Sequence, residues 1–326
     1  MPTVTLIEAV AMALDYEMGR DGEVVLLGED VGKNGGVFRA TDSLYEKYGS
    51  NRVIDTPLAE AMIAGLSVGM ATQGLKPVAE IQFMGFSLMA FNQIATAAAR
   101  MRNRTRGRLT VPLVVRMPFG GGIHAPEHHS ESIEALYAHI PGLRVVVASN
   151  PSRAYGLLLA AIREPDPVVF LEPKRVYRLL KHEVENDGEA YPLDCCFIDR
   201  EGDDLTLISW GAMMHETLQA ADKLAAEGVS CEVIDVATVS PIDMDTIIES
   251  VEKTGRCVIV QEASRSGGVG SEIAAELAEK AMMSLLGPIG RVAGYDTVMP
   301  YARMEKLYMP SVGRIVEEAQ KVLKYS

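Results

Sequence analysis

The chain has 326 residues, 48% of them hydrophobic and 23% charged, and a formal net charge of −13. That length predicts two domains rather than one core, and the composition is that of a globular chain. The acidic balance argues against nucleic acid or an anionic membrane as the main partner, and no apolar run reaches the ~18–20 residues of a membrane span. The four cysteines, Cys195, Cys196, Cys231 and Cys257, form no Cys-x-x-Cys pair and no His/Cys metal cluster. Cys231 and Cys257 open apolar runs and read as small core residues. No basic, apolar leader precedes the first helix, which with the free cysteines predicts a cytoplasmic location.

Thr5-Leu6-Ile7-Glu8 is a capping box. It opens a helix to about Gly19 with Leu6, Val10, Ala13, Leu14 and Met18 as its apolar stripe. A buried strand at 24–27 precedes a glycine-rich loop at 28–36. Val53 and Ile54 lead into Asp55-Thr56-Pro57-Leu58-Ala59-Glu60. Thr56 suits an N-cap and Pro57 the first helical position, which places Glu60 in the first turn. Gly65 and Gly69 follow on the side of Ala61 and Val68. Each costs roughly 1 kcal/mol of helix propensity against Ala, a cost that predicts close approach of another helix and a carboxylate held at a buried junction. Complementing the helix dipole is the simpler role for Glu60.

Residues 76–83 read as strand and loop, and 86–102 as a helix ending in the basic run Arg100, Arg102, Arg104, Arg106, Arg108. The apolar runs 111–117 and 143–148 suit parallel strands covered on both faces. Between them lie Gly120-Gly121-Gly122 and a helix near 131–137. A helix at 155–163 and a strand at 168–171 follow. Lys174 to Asp204 is rich in charge and proline and reads as a connection with room for edge strands. The expected limits are residues 1–185, a linker at 186–203, and 204–326. In the second part, strands at 205–210, 231–235 and 257–261 alternate with helices at 215–227, 244–252 and 270–285, and a helix at 312–323 closes the chain. This is the pattern of a second open parallel α/β sheet. Gly267-Gly268-Val269-Gly270 lacks the full Gly-x-Gly-x-x-Gly spacing and reads as a tight strand-to-helix turn.

His124, His128 and His129 follow the three glycines. Glycine there permits unusual backbone angles and close approach to a ligand, and a histidine on such a loop can move protons near neutral pH. A metal site lacks further ligands, and a solvated loop that happens to carry histidines is the plain alternative.

The spacing from Glu60 through Gly65-Leu66 and Gly69 to Gln73 resembles the pyrimidine-side motif of thiamine-diphosphate enzymes. Arg116-Met117-Pro118-x-Gly120-Gly121-Gly122 with Glu127-His128-His129-Ser130-x-Ser132 resembles the active-site loop of the β subunit of 2-oxo acid dehydrogenases. Matches at 27–32, 81–83, 170–174, 249–256 and 296–301 extend the resemblance over essentially the whole chain. It implies a pyrimidine-binding domain followed by a transketolase C-terminal-type domain, both open α/β sheets. It implies that Glu60 hydrogen-bonds the cofactor's aminopyrimidine and that the glycine helix packs at a subunit interface. His129, rather than His128, would lie near the thiazolium and serve acyl transfer to lipoamide. Glu29, Leu58, Glu60 and Phe86 would contact the cofactor, with Phe83 the alternative to Phe86, and core packing an alternative for either. A structural potassium ion would lie at Leu113, Ala161, Glu164 and Asp166, where Glu164-Pro165-Asp166 departs from the family's usual polar pair.

The chain contains no Gly-Asp-Gly, the family's site for magnesium and diphosphate. The resemblance therefore implies an α subunit that supplies that site, in a two-alpha, two-beta tetramer, with a lipoyl acyltransferase core as the further partner. The implied reaction is decarboxylation of a 2-oxo acid on thiamine diphosphate and transfer of the acyl group to lipoamide. For that, Glu60 needs a dry site and a raised pKa. The run from Phe170 to Tyr177 leans toward branched-chain acids, with pyruvate the alternative. A split transketolase, a deoxyxylulose-phosphate synthase and a non-catalytic scaffold are the competing readings. The second domain is expected to carry assembly, pairing with its copy and docking the acyltransferase through exposed carboxylates, including that of Ser326.

Overall fold

The capping box forms. The Thr5 backbone N–H donates to the Glu8 carboxylate at 2.7 Å, and the Glu8 N–H donates to Thr5 Oγ1 at 3.5 Å. The helix it starts spans Leu6–Arg20 and buries Leu6, Val10, Ala13, Leu14 and Met18. The computed structural model describes residues 1–325; Ser326, and the docking role expected of its carboxylate, lie outside the described residues.

Among the described residues, a seven-stranded sheet carries the first half. Its spatial order is Thr238–Ser240, Arg144–Val147, Val168–Pro173, Val114–Phe119, Lys76–Glu80, Val24–Gly28, Val53–Asp55. All neighbours are parallel except Thr238–Ser240, which pairs antiparallel with Arg144–Val147. Successive side chains alternate between faces. Leu26, Val78, Val114 and Phe170 pack beneath the Leu6–Arg20 and Pro151–Arg163 helices, whereas Leu27, Ala79, Val115 and Leu171 pack against the Glu60–Thr72 helix and the segment after it. Burial on both faces explains why these strands read as unbroken apolar runs.

The second sheet has the order Gly290–Gly294, Cys257–Ser264, Leu205–Ser209, Cys231–Asp235, Phe197–Arg200. The first four strands are parallel, and Phe197–Arg200, drawn from the connecting segment, adds an antiparallel edge. Lys181–Glu183 from the same segment pairs with Thr3–Thr5. Cys231 and Cys257 are buried in the core as expected. Gly268 and Gly270 make a strand-to-helix turn over Gln261, whose Oε1 accepts the Gly270 N–H at 2.8 Å. No helix among the described residues is long and apolar enough to cross a membrane.

Three local expectations change. Thr56 is not the N-cap: the helix spans Glu60–Thr72, with Ala59 at the cap position and no side chain capping it. The helix expected over 86–102 is broken into a 3-10 turn at Met84–Met89, a π turn at Gln93–Ala98 and a short helix at Met101–Arg104. The Ser87 and Thr96 hydroxyls donate to the carbonyls of Met84 and Asn92, each at 2.5 Å, local bonds that compete with a regular helix. The helix expected near 131–137 covers only Glu134–Ala138. The residues before it are committed elsewhere: the Glu131 carbonyl accepts the Gly120 N–H at 2.9 Å, and the Ser132 hydroxyl bonds Glu262.

Candidate active site

Four neighbouring strands of the first sheet deliver the candidate residues. Glu29 directly follows Val24–Gly28, Glu60 follows Val53–Asp55, Phe83 and Phe86 follow Lys76–Glu80, and His129 follows Val114–Phe119. Gly28 stands in register with Asp55 and Glu80, and Glu80 with Arg116, so the four loops leave one edge of the sheet from one row. Ligands of open α/β sheets bind outside these carboxyl ends.

Glu29 is the buried carboxyl of the group, only 4% exposed, and neither of its oxygens has a hydrogen-bond partner. Burial, then the charges of Glu60 and Asp30, push its pKa up to about 7. Glu60 itself is half-buried. The dry position expected of Glu60 thus falls to its neighbour. The close packing expected around the glycine pair is also missing within the chain. A Cβ at Gly69 would meet nothing within 4 Å, and one at Gly65 only Gln93 at 3.8 Å. Leu58, Met62 and Leu66 are exposed beside them. This face of the helix is open to whatever covers it from outside the chain.

His129 sits between two aromatic rings. Its centroid lies 4.5 Å from that of Phe83 and 5.0 Å from that of Phe86, both edge to face. Phe83 and Phe86 are half-buried and 5.6 Å apart, so neither is plain core and both wall the histidine. Nδ1 of His129 lies 2.8 Å from the Glu127 carbonyl. A carbonyl only accepts, so this bond places a proton on Nδ1. His128 is exposed and takes a left-handed φ of 63°.

Beneath the loops runs an ion network that the sequence reading missed. The Arg116 guanidinium, 1% exposed, donates to Glu80 on one side and to both oxygens of Glu172 at 2.7 Å on the other. The Tyr177 hydroxyl donates to the same Glu172 at 2.7 Å. Burial opposes the arginine's charge, but Glu172 and Glu80 more than offset it and hold its pKa above the ordinary value. Burial is also the main cause that raises the pKa of Glu80. Lys174, beside them, donates to the Gly120 carbonyl at 2.5 Å and lies 5.5 Å from the Phe83 ring centroid. Burial lowers its pKa to about 8.

The positions expected to hold potassium lie away from this edge, at the start of the Val114–Phe119 strand and the end of the Pro151–Arg163 helix. Arg144 pairs with Glu164 at 3.0 Å and Arg102 with Asp166 at 2.8 Å. The Leu113 carbonyl accepts the Val168 N–H and that of Ala161 the Glu164 N–H. Both carboxylates are therefore already paired with arginines.

The transketolase pyrimidine-binding domain model matches residues 2–179, and the transketolase C-terminal domain model matches residues 196–315. The pyruvate dehydrogenase E1 component subunit beta of Bacillus subtilis (strain 168) is 48% identical over 325 residues, covering 100% of both chains. The chain belongs to the β-subunit family of thiamine-diphosphate-dependent 2-oxo acid dehydrogenases. The corresponding subunit of Staphylococcus epidermidis is 47% identical and that of Staphylococcus aureus 46%, again over 100% of both chains. A solved structure titled "Split gene transketolase, inactive beta4 tetramer" superposes with a TM-score of 0.80 over 99% of each chain, at 25% identity.

The two-domain α/β reading of this β subunit therefore stands. The lean toward branched-chain acids does not, because these relatives are pyruvate enzymes. The run from Phe170 to Tyr177 that suggested it has another duty: Phe170 is core, Glu172 and Tyr177 belong to the Arg116 network, and Lys174 holds Gly120. Those residues form the floor of the site.

Proposed function

We propose that this β subunit pairs with an α subunit to decarboxylate pyruvate, and that the acyl group then passes to the lipoamide of an acyltransferase core. The observation that carries this reading is the convergence of Glu29, Glu60, Phe83, Phe86 and His129 on one sheet edge, in a chain 48% identical to a pyruvate enzyme over its full length. The orphaned Glu29 carboxyl fits a polar ligand that comes from outside the chain, as the pyrimidine of thiamine diphosphate would. Thiamine diphosphate, when bound, supplies a nucleophilic carbon and an electron sink. Glu60 accepts a hydrogen bond from the ring system and orients it. Phe83 and Phe86 exclude water from one side and fix the His129 ring. His129 exchanges a proton at Nε2, with its tautomer set by the Glu127 carbonyl. Magnesium and diphosphate belong to the α subunit in this scheme, in a two-alpha, two-beta tetramer. Leu58, 83% exposed beside Glu60, is free to meet the cofactor or that partner. Decarboxylation assays of the reconstituted pair over a panel of 2-oxo acids test the substrate. Preference for a branched-chain acid or a sugar phosphate would overturn the pyruvate assignment.

Two results are expected from simple variants and binding. His129→Ala should slow acyl transfer to lipoamide by about 10²-fold, the low end for loss of a general acid–base group. The exposed His128→Ala should stay near wild type in the same single-turnover assay. Equal defects in both variants would remove His129 from its role. Separately, calorimetry should find weak or no binding of thiamine diphosphate with magnesium to the isolated chain, which has no Gly-Asp-Gly. Micromolar, magnesium-dependent binding to the isolated chain would contradict the division between subunits.

A further inference from the structure

The loop that carries His129 is fixed from the second domain. Glu262, on the Cys257–Ser264 strand, takes two bonds on a single oxygen: Oε1 accepts the Gly121 N–H at 2.5 Å and the Ser132 hydroxyl at 3.0 Å. Glu305, on the Ala302–Tyr308 helix, uses both oxygens. Oε1 accepts the Gly122 N–H at 2.7 Å, and Oε2 accepts the His124 N–H at 3.1 Å with His124 Nε2 at 3.4 Å. Both carboxylates are buried. Between these bonds the loop's own backbone contributes little, chiefly the Gly120 N–H to the Glu131 carbonyl and the His129 N–H to the Pro126 carbonyl.

The three glycines are explained by the same packing. A Cβ on Gly120 would stand 2.7 Å from Glu262 Oε1, one on Gly121 2.5 Å from the Met299 methyl, and one on Gly122 would collide with the Arg175 side chain. Gly120 and Gly122 also hold left-handed φ angles of 83° and 85°. Glycines in such a loop suggest room for a ligand; the structure fills that room with Glu262 and Met299 of the second domain and Arg175 of the first.

We propose that Glu262 and Glu305 are positioning residues for His129, so that the second domain sets the reactivity of the first. Neither touches the reacting atoms. Each gives loop N–H groups that would otherwise seek water a buried acceptor and so fixes the segment from Gly120 to Ser132. This rests on the role given to His129 above.

The test uses the reconstituted tetramer, with acyl transfer to lipoamide, substrate KM and amide hydrogen exchange of the 120–132 segment read side by side. Glu262→Ala and Glu305→Gln should each lower kcat for acyl transfer by about tenfold, leave the KM for the 2-oxo acid within about twofold, and speed exchange in the segment. Glu305→Gln is disruptive because its amide NH2 would replace one of two accepting oxygens. Glu262→Gln should be near wild type, because its one carbonyl oxygen can keep both bonds. Unchanged exchange and kcat in Glu305→Gln would overturn the proposal, as would equal damage from Glu262→Gln and Glu262→Ala. His129→Ala is run in parallel. A silent His129→Ala with fast exchange in Glu305→Gln removes the catalytic role of the histidine and leaves the clamp standing.

Discussion

Glu60→Gln should assemble normally and lose decarboxylation by about 10²–10⁴-fold, the range for removing a positioned acid–base group. The structure supports a clean result. Glu60 is half-buried at the first position of its helix, and among the described residues its side chain caps nothing and pairs with no cation. Folding therefore stands to lose only the interaction of its charge with the helix dipole, about 0.3–1 kcal/mol. Removing that charge relieves Glu29, whose raised pKa is due in part to Glu60. The isolated variant should be as stable as the wild type or slightly more so. Turnover by the reconstituted pair, with thermal melts of the free subunit, checks both halves. Wild-type turnover would remove Glu60 from the mechanism.

The largest effect on stability should come from Arg116→Met. It strands Glu80 and Glu172, 3% and 0% exposed, without their shared cation. Breaking a buried pair in this way costs about 3–5 kcal/mol. The loss should shrink as pH falls. A buried carboxyl without its cation is neutralised by a proton, and Glu80 already has a raised pKa with the arginine present. Denaturant unfolding at two pH values decides it. A variant destabilised equally at both, or by less than about 1 kcal/mol, which is an ordinary substitution, would show that the network matters little. A triple replacement of Arg116, Glu80 and Glu172 by apolar residues should recover much of the stability, since no buried charge is then left unpaired.

The Arg116 network also shows where sequence reasoning stopped. Its members were visible as charges set inside apolar strand runs: Arg116 after Val114-Val115, Glu80 after Val78-Ala79, Glu172 after Phe170-Leu171. A charge in a strand buried on both faces needs a partner, but which partner depends on strand order, and order is not written in local periodicity. Strand and helix positions in the second half were legible because hydrophobic period and length agree there; Cys231–Asp235 and Val312–Leu323 match the expected limits. The segment from Met84 to Arg104 misled because its residues suit a helix while the Ser87 and Thr96 hydroxyls bond nearby carbonyls in competition with it. Glu60 and His129 stand in sequence motifs, and the fold brings the loops that carry them to one sheet edge. The bonds accepted by Glu262 and Glu305 were not legible, since 130 residues or more separate each from its donors in the loop.

The strand Thr238–Ser240 belongs by sequence to the second half, yet it forms the edge of the first sheet. A gene divided in the connecting segment would deliver a first half with the Arg144–Val147 strand unpaired along one side. Such an open ladder recruits other chains. The two halves match separate domain models and are still inseparable as folding units: the second finishes the first's sheet, and a cut between them exchanges a buried seam for an aggregation-prone one.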